Sequence, residues 1–121
     1  MNADDEYPGR WVEIMADHSA SGVWNKKYME CDVDLLPITQ DLRNRLAEWT
    51  RDYEALDEKD FENEQVDWPG FAARGLLLAQ EVKAALPDWT VNYRDEARAR
   101  ARMPPSTWSY EIRPSVRKPR T

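Results

Sequence analysis

The sequence predicts a two-layer α+β fold, in which two amphipathic helices cover one face of a small antiparallel or mixed sheet of three or four strands. Long segments with apolar residues at spacings of three and four occupy the middle of the chain, and short segments that alternate apolar and polar residues lie on both sides. A chain of 121 residues, 41% of them hydrophobic, is large enough for one domain with its own core.

The first half of the predicted sheet comes from alternation. Residues 7–17 form the first predicted strand, and the small, polar, glycine-ended segment 18–22 is typical of a turn. Residues 23–25 are then expected to pair back as a short second strand. Because no periodicity extends over residues 26–36, we expect an irregular connection there.

Both helices have start signals. Thr39 suits the N-cap of the first helix, and residues 67–68 lie near the cap of the second, which Pro87 ends. The apolar stripes of the two helices are Leu42, Leu46, Trp49, Tyr53 and Leu56, and Phe71, Gly75, Leu78, Val82 and Leu86. A helical glycine costs about 1 kcal/mol relative to alanine, so we expect Gly75 to mark a close approach to the first helix.

The end of the chain divides into a strand and an extension. Residues 89–93 alternate again and predict a strand, and residues 108–113 could add a late one. We predict a domain over residues 1–96 and a basic, proline-containing extension over residues 97–121. The last part, residues 114–121, is expected to be disordered in the free chain.

Charge is divided unevenly along the chain. Residues 1–96 hold 22 of the 23 acidic residues and 10 of the 17 Lys and Arg, a net charge of −12, whereas residues 97–121 have a net charge of +6. An acidic body attracts basic proteins and repels polyanions over long distances. The pattern therefore indicates a kind of partner but no reaction.

The composition also bears on the compartment. Cys31 is the single cysteine, so no intrachain disulfide can form. The acidic N-terminus lacks the apolar segment of a secretory signal, and no apolar run is long enough to span a bilayer. We therefore expect a cytoplasmic protein with no membrane contact.

One group of residues has the types that nucleophilic catalysis needs. His18 could act as a base for Ser21 or Cys31, with Asp17 orienting its ring. Adjacent strand residues point to opposite faces, so Asp17 and His18 share a site only if the strand has already ended. The sequence favours the ordinary interpretation, a polar corner between a strand and a turn.

No metal or cofactor is predicted. His18 and Cys31 are too few ligands for a structural zinc site. Asp32 and Asp34 resemble the start of a calcium loop, but the glycine and the final glutamate of such a loop are missing. The four glycines are scattered, so the chain has no glycine-rich phosphate loop.

Residues 57–67 are acidic and poorly periodic, which predicts a surface connection between the two helices. The wider acidic stretch over residues 52–67 is either a solvated surface loop or a surface for a cationic partner. Aromatic residues ringed by polar groups are common anchors of interfaces, and Phe61 and Trp68 lie in or beside this stretch. The candidate partner-binding residues are Asp57, Glu58, Asp60, Phe61, Glu62, Glu64 and Trp68.

The basic extension suggests a different partner. Arg and Lys within residues 98–121 could contact the phosphates of a nucleic acid, with Trp108 and Tyr110 stacking on bases. The acidic body would repel the same polyanion. The extension could also lie on its own domain, or add a strand to a neighbouring copy and so form a dimer.

Several short motifs occur together in this chain: Ile14-Met15-Ala16-Asp17, Gly22-Val23-Trp24, Asp34-Leu35-Leu36-Pro37-Ile38, Leu42, Trp49, Tyr53, and Trp89-Thr90-Val91 with Tyr93. In combination they resemble a loose group of small bacterial proteins. The resemblance covers about residues 10–95 and implies no activity, so no residue takes a role from it. The basic extension departs from the pattern of that group.

The sequence thus leads to one preferred function and two alternatives. The preferred function is a non-enzymatic protein-binding module of the immunity or antitoxin kind, which binds a basic partner through the acidic surface. The first alternative is a small hydrolase-like enzyme that uses His18 and its neighbours. The second is a nucleic-acid accessory protein that acts through residues 98–121.

Overall fold

The computed structural model describes residues 2–18, 20–29 and 31–114. The helices of this part are α1 (Ala3–Glu6), α2 (Gln40–Phe61), α3 (Trp68–Ala85) and α4 (Glu96–Arg100). Its strands are β1 (Trp11–Ile14), β2 (Val23–Asn25), β3 (Thr90–Arg94) and β4 (Ser109–Glu111). No helix of the described residues is long and apolar enough to cross a membrane.

The strands form one mixed sheet in the order β2-β1-β3-β4. Strands β1 and β3 are parallel, with Val12 opposite Val91, while β2 and β4 each pair antiparallel with their neighbour. The parallel pair requires a long crossover, which α2 and α3 supply between β2 and β3. The predicted α+β class with a small mixed sheet is confirmed.

Side-chain caps fix the beginnings of the two long helices. The Thr39 hydroxyl accepts the Leu42 N–H at 3.2 Å, and the Asp67 carboxylate accepts the Gly70 N–H at 2.9 Å. Each cap satisfies a backbone donor that the first helical turn leaves without a partner. Both predicted helix starts are therefore confirmed.

Gly75 lies where α2, α3 and β3 meet. A Cβ atom at this position would lie 2.5 Å from the Tyr93 hydroxyl oxygen and 2.7 Å from Cε2 of Trp49. The Tyr93 hydroxyl donates to the Ala72 carbonyl at 2.7 Å, and the Trp49 indole N–H donates to the Phe71 carbonyl at 3.1 Å. The predicted close approach to the first helix is confirmed, because two buried rings fill the space beside Gly75.

The first predicted strand is too long. Regular pairing begins only at Trp11, after α1 and a 3₁₀ turn over Pro8–Arg10. Pro8 has no N–H to donate to a ladder, and Gly9 has a φ of 70°, which ordinary strand backbone does not adopt. These two residues end the extended conformation on the N-terminal side.

Three helical segments differ from the prediction. Helix α2 continues to Phe61, where the acidic composition predicted a loop from residue 57, and α1 and α4 were not predicted at all. The irregular segment 26–36 contains a 3₁₀ turn at Val33–Leu35.

Part of the predicted extension belongs to the fold. Strand β4 lies within the segment 108–113 and pairs with β3, and Ile112 is buried in the main core. Strand β4 and Ile112 therefore complete the sheet and the core of their own chain. The prediction for the end of the tail falls on residues 115–121, which lie outside the described residues.

Gly75→Ala should lower the free energy of unfolding by about 1–3 kcal/mol, because the new methyl group overpacks the rings beside it. Helix propensity alone would instead raise stability by about 1 kcal/mol. Urea denaturation followed by tryptophan fluorescence measures the change. Ala73→Gly, at an exposed position of the same helix, is the control and should cost about 1 kcal/mol. A Gly75→Ala variant that is more stable than the wild type would contradict the close approach.

Candidate functional site

The candidate partner-binding residues lie along one continuous feature, the end of α2 and the turn after it. We call this feature the acidic ridge. It consists of Asp57, Glu58, Asp60, Phe61, Glu62 and Glu64. Trp68, the last candidate, is the first residue of α3.

Arg100 joins the acidic ridge to α4. Its guanidinium donates to Asp57 at 2.6 Å, to Asp60 at 2.7 Å and to Glu96 at 2.8 Å. It also donates to the Tyr53 hydroxyl at 3.2 Å. Three carboxylates from two helices thus share one cation, whose side chain is 27% exposed.

The Trp68 ring packs against the guanidinium group of Arg100. The Arg100 guanidinium carbon lies 4.3 Å from the centre of the indole ring, within the range of a cation–π contact. The indole N–H donates to Asp60 at 3.3 Å. Because Trp68 is only 7% exposed, it supports the acidic ridge from below and does not form part of its outer surface.

His18 binds the other oxygen of the Asp57 carboxylate. Its Nε2 lies 2.7 Å from Oδ2 of Asp57, while Oδ1 accepts from Arg100. The hydrogen bond to Asp57 raises the pKa of His18 above its ordinary value of 6.5. The bonds from His18 and then from Arg100 hold the pKa of Asp57 below its ordinary value. The imidazole is packed edge-on against Tyr53, with ring centres 5.4 Å apart.

The outer side of the acidic ridge is left for solvent or a partner. Phe61 is 87% exposed, the highest value among the large apolar residues described as exposed. Glu58, Glu62 and Glu64 are exposed as well, and within the described residues none of them has an ion pair. A shallow cleft beside them is lined by His18, Glu54, Asp57, Glu58 and Phe61.

The residues of the predicted hydrolase site do not form the predicted constellation. The Asp17 carboxylate accepts the backbone N–H of His18 at 2.7 Å, which is the expected polar corner. The Ser21 hydroxyl accepts the N–H of Val23 at 3.3 Å, and Cys31 is buried. The ring nitrogen of His18 bonds to Asp57 on α2, a residue that the catalytic hypothesis did not include.

No group of three or more potential metal-binding side chains occurs in the part of the chain that the structure describes. Asp32 instead caps the 3₁₀ turn, accepting the N–H of Asp34 at 3.0 Å.

A family model described as Serratia CdiI immunity protein-like matches residues 10–96. The chain belongs to this family. A search of curated proteins finds no match. Family membership gives the chain an immunity-protein role and a protein partner, the toxin. The matched region runs from just before β1 to the first residue of α4, so it contains the whole acidic ridge and stops four residues before Arg100.

Basic side chains of this immunity-family chain beyond residue 96 make contacts within the protein. Arg98 donates to the Thr107 carbonyl at 3.0 Å and lies 5.0 Å from the ring centre of Tyr110. Arg94 of β3 lies 5.1 Å from the ring centre of Trp108. The two aromatic residues predicted to stack on bases therefore already contact arginines of their own chain.

The pairing of Arg100 with the acidic ridge was not predicted from the sequence. The two ends of this interaction are separated by 40 residues, so no local pattern connects them. One local signal was present: Glu96 and Arg100 are four residues apart, the spacing of a favourable helical ion pair. That spacing could have predicted α4, but not its contact with α2.

His18 is the single histidine, so its NMR titration reports on this site without ambiguity. We expect its pKa to lie above 6.5 and to fall towards that value in Asp57→Asn, because the carboxylate partner is lost. Asp17→Asn is the control and should change the pKa less. A wild-type pKa at or below 6.5 would contradict the contact.

The same pair makes stability depend on pH. The folded-state pKa of His18 is raised, so protonated His18 stabilises the folded protein. This contribution to stability is complete below about pH 6.5 and is lost as the pH rises through the folded-state pKa.

Proposed function

We propose that this chain binds a basic surface of its toxin through the acidic ridge, with Phe61 as the central anchor. The observation that carries the proposal is the exposure of Phe61 among carboxylates that have no ion pair within the described residues. A large apolar side chain that projects into solvent gains the most when a partner covers it.

The charges of the ridge suit a cationic partner. Arg100 and His18 both bond to Asp57, and Arg100 also bonds to Asp60. These two carboxylates therefore already have cationic partners within the protein. Glu58, Glu62 and Glu64 remain on the outer side. Exposed charges of one sign speed association with a partner of the opposite sign and disfavour wrong partners.

The position of Phe61 also fits an anchor. It is the last residue of α2, so its backbone is held by helical hydrogen bonds while its ring stays exposed. An anchor on a regular element loses little conformational freedom when it binds, and this favours affinity.

The two alternatives have less support. The aromatic residues and arginines of the basic segment contact one another, which leaves fewer of them for a nucleic acid. The ring nitrogen of His18 bonds to Asp57, and the hydroxyl of Ser21 is used in its own turn. Neither arrangement suggests a site for phosphates or for a nucleophile.

Phe61→Ala should weaken binding to the toxin that this immunity protein recognises by about 2 kcal/mol, a dissociation constant about 30-fold higher, as is typical of an interface anchor. Isothermal titration calorimetry with the purified proteins measures the change. Leu77→Ala is the matched control, because Leu77 is 62% exposed on α3. Equal affinities for the wild type and Phe61→Ala would remove Phe61 from the interface.

The triple variant Glu58→Gln, Glu62→Gln, Glu64→Gln should slow association with the same toxin by about tenfold at low salt, because electrostatic steering is lost. Stopped-flow mixing at two salt concentrations measures the rate, and the difference should shrink at high salt.

The matched control for charge is the triple variant Asp34→Asn, Asp88→Asn, Glu111→Gln. It removes the same number of exposed acidic groups at positions away from the ridge. If both triple variants slow association equally, net charge alone acts and the ridge has no special role.

A further inference from the structure

We propose that Arg100 is a positioning residue of the toxin-binding surface: it holds the last two turns of α2 in helical form, so that the acidic ridge is presented in one fixed orientation. This inference rests on the proposed function for its binding part. It places one determinant of binding outside the region that the family model matches, since that region ends at residue 96.

The end of α2 has little apolar packing of its own. All of α2 is described, and its last fully buried residue is Tyr53, with Leu56 only half-buried. Of the residues after Tyr53 in α2, only Leu56 packs against the core, so these turns have little of the burial that supplies most of the stability of helices in proteins. Another interaction must keep these turns ordered.

The charges of these turns oppose a helix. The C-terminal end of a helix carries partial negative charge, and acidic side chains near it are unfavourable. Glu54, Asp57, Glu58 and Asp60 all lie in the last two turns, with Lys59 as the basic residue among them. Acidic composition and poor apolar periodicity predicted a surface connection from residue 57, and the helix nevertheless continues to Phe61.

Arg100 supplies the positive charge and the contacts that the end of α2 lacks. Its guanidinium bonds to Asp57 and Asp60 on neighbouring turns of α2, and Glu96 and the Trp68 ring fix it in place. One planar cation with several donors can join two carboxylates at a set distance, which a lysine ammonium does less well. Phe61 follows Asp60 directly, so its direction depends on the same contact.

Amide hydrogen exchange tests the ordering without any toxin. In Arg100→Met, which removes the guanidinium group and keeps an unbranched side chain, the amides of residues 57–62 should exchange at least about tenfold faster than in the wild type. The amides of residues 78–82 in α3 should change less than about twofold, since their core is untouched. In Arg100→Lys, the exchange rate of residues 57–62 should lie between the rates of the wild type and of Arg100→Met. Arg98→Met is the matched control on the same helix and should leave residues 57–62 unchanged.

Two exchange results would overturn the inference. One is an unchanged rate at residues 57–62 in Arg100→Met. The other is an equal acceleration at residues 78–82, because this would mean that Arg100 stabilises the whole fold and has no particular effect on the ridge.

Binding to the toxin tests the second part of the proposal, that Arg100 positions the binding surface. Arg100→Met should raise the dissociation constant by about tenfold and Arg98→Met should not, because only the former loses a preorganised surface. If Arg100→Met exchanges faster but binds as well as the wild type, the positioning role is wrong and the proposed function stands. If the wild type itself does not bind, the proposed function fails, and exchange still decides whether Arg100 orders the helix end.

Discussion

The contact between one guanidinium group and three carboxylates joins the acidic ridge to α4. Arg100 draws Asp57 and Asp60 of α2 and Glu96 of α4 around itself, above the ring of Trp68. A hydrogen bond to a charged group contributes about 1.5–3 kcal/mol when it is sheltered, and an exposed ion pair about 0–1 kcal/mol. The Arg100 side chain, 27% exposed, lies between these cases. Removing it would also leave neighbouring carboxylates that repel one another.

This contact changes the meaning of the uneven charge along the chain. The basic C-terminal segment and the acidic body are parts of one fold, because Arg100 pairs with the acidic ridge and β4 pairs with β3. The carboxylates that Arg100 does not reach, together with Phe61, are the groups that face outward. A binding surface that is already ordered before the toxin binds favours affinity. Because some acidic residues are neutralised within the protein, the others can lie close together on this surface with less mutual repulsion.

Local patterns were enough to predict the elements that depend on local physics. The hydroxyl of Thr39 and the carboxylate of Asp67 cap their helices within three residues, and the stripe that includes Trp49 faces the core as the spacing required. The close approach at Gly75 could also be predicted, because a glycine inside an apolar helical stripe costs stability unless a neighbouring element packs closely against it.

The parts that were missed depend on partners far away in the chain. The end of α2 was predicted as a loop because the segment is acidic and poorly periodic, and Arg100, the partner of Asp60, comes 40 residues later. His18 was linked in the sequence to nearby Ser21 and Cys31, yet its partner is Asp57, 39 residues away. Trp68 was predicted at the surface because acidic residues precede it, and Arg100 covers it. Long-range ion pairs leave almost no local trace in a single sequence.

The most direct test of the account is the footprint of the toxin on the wild-type chain. Amide exchange measured with and without the toxin should show slower exchange concentrated at residues 57–64, with the core of α3 unchanged. Phe61 and the carboxylates around it would then lie inside the interface. Protection confined to another surface, such as the exposed segment 26–29, with residues 57–64 unaltered, would contradict the account.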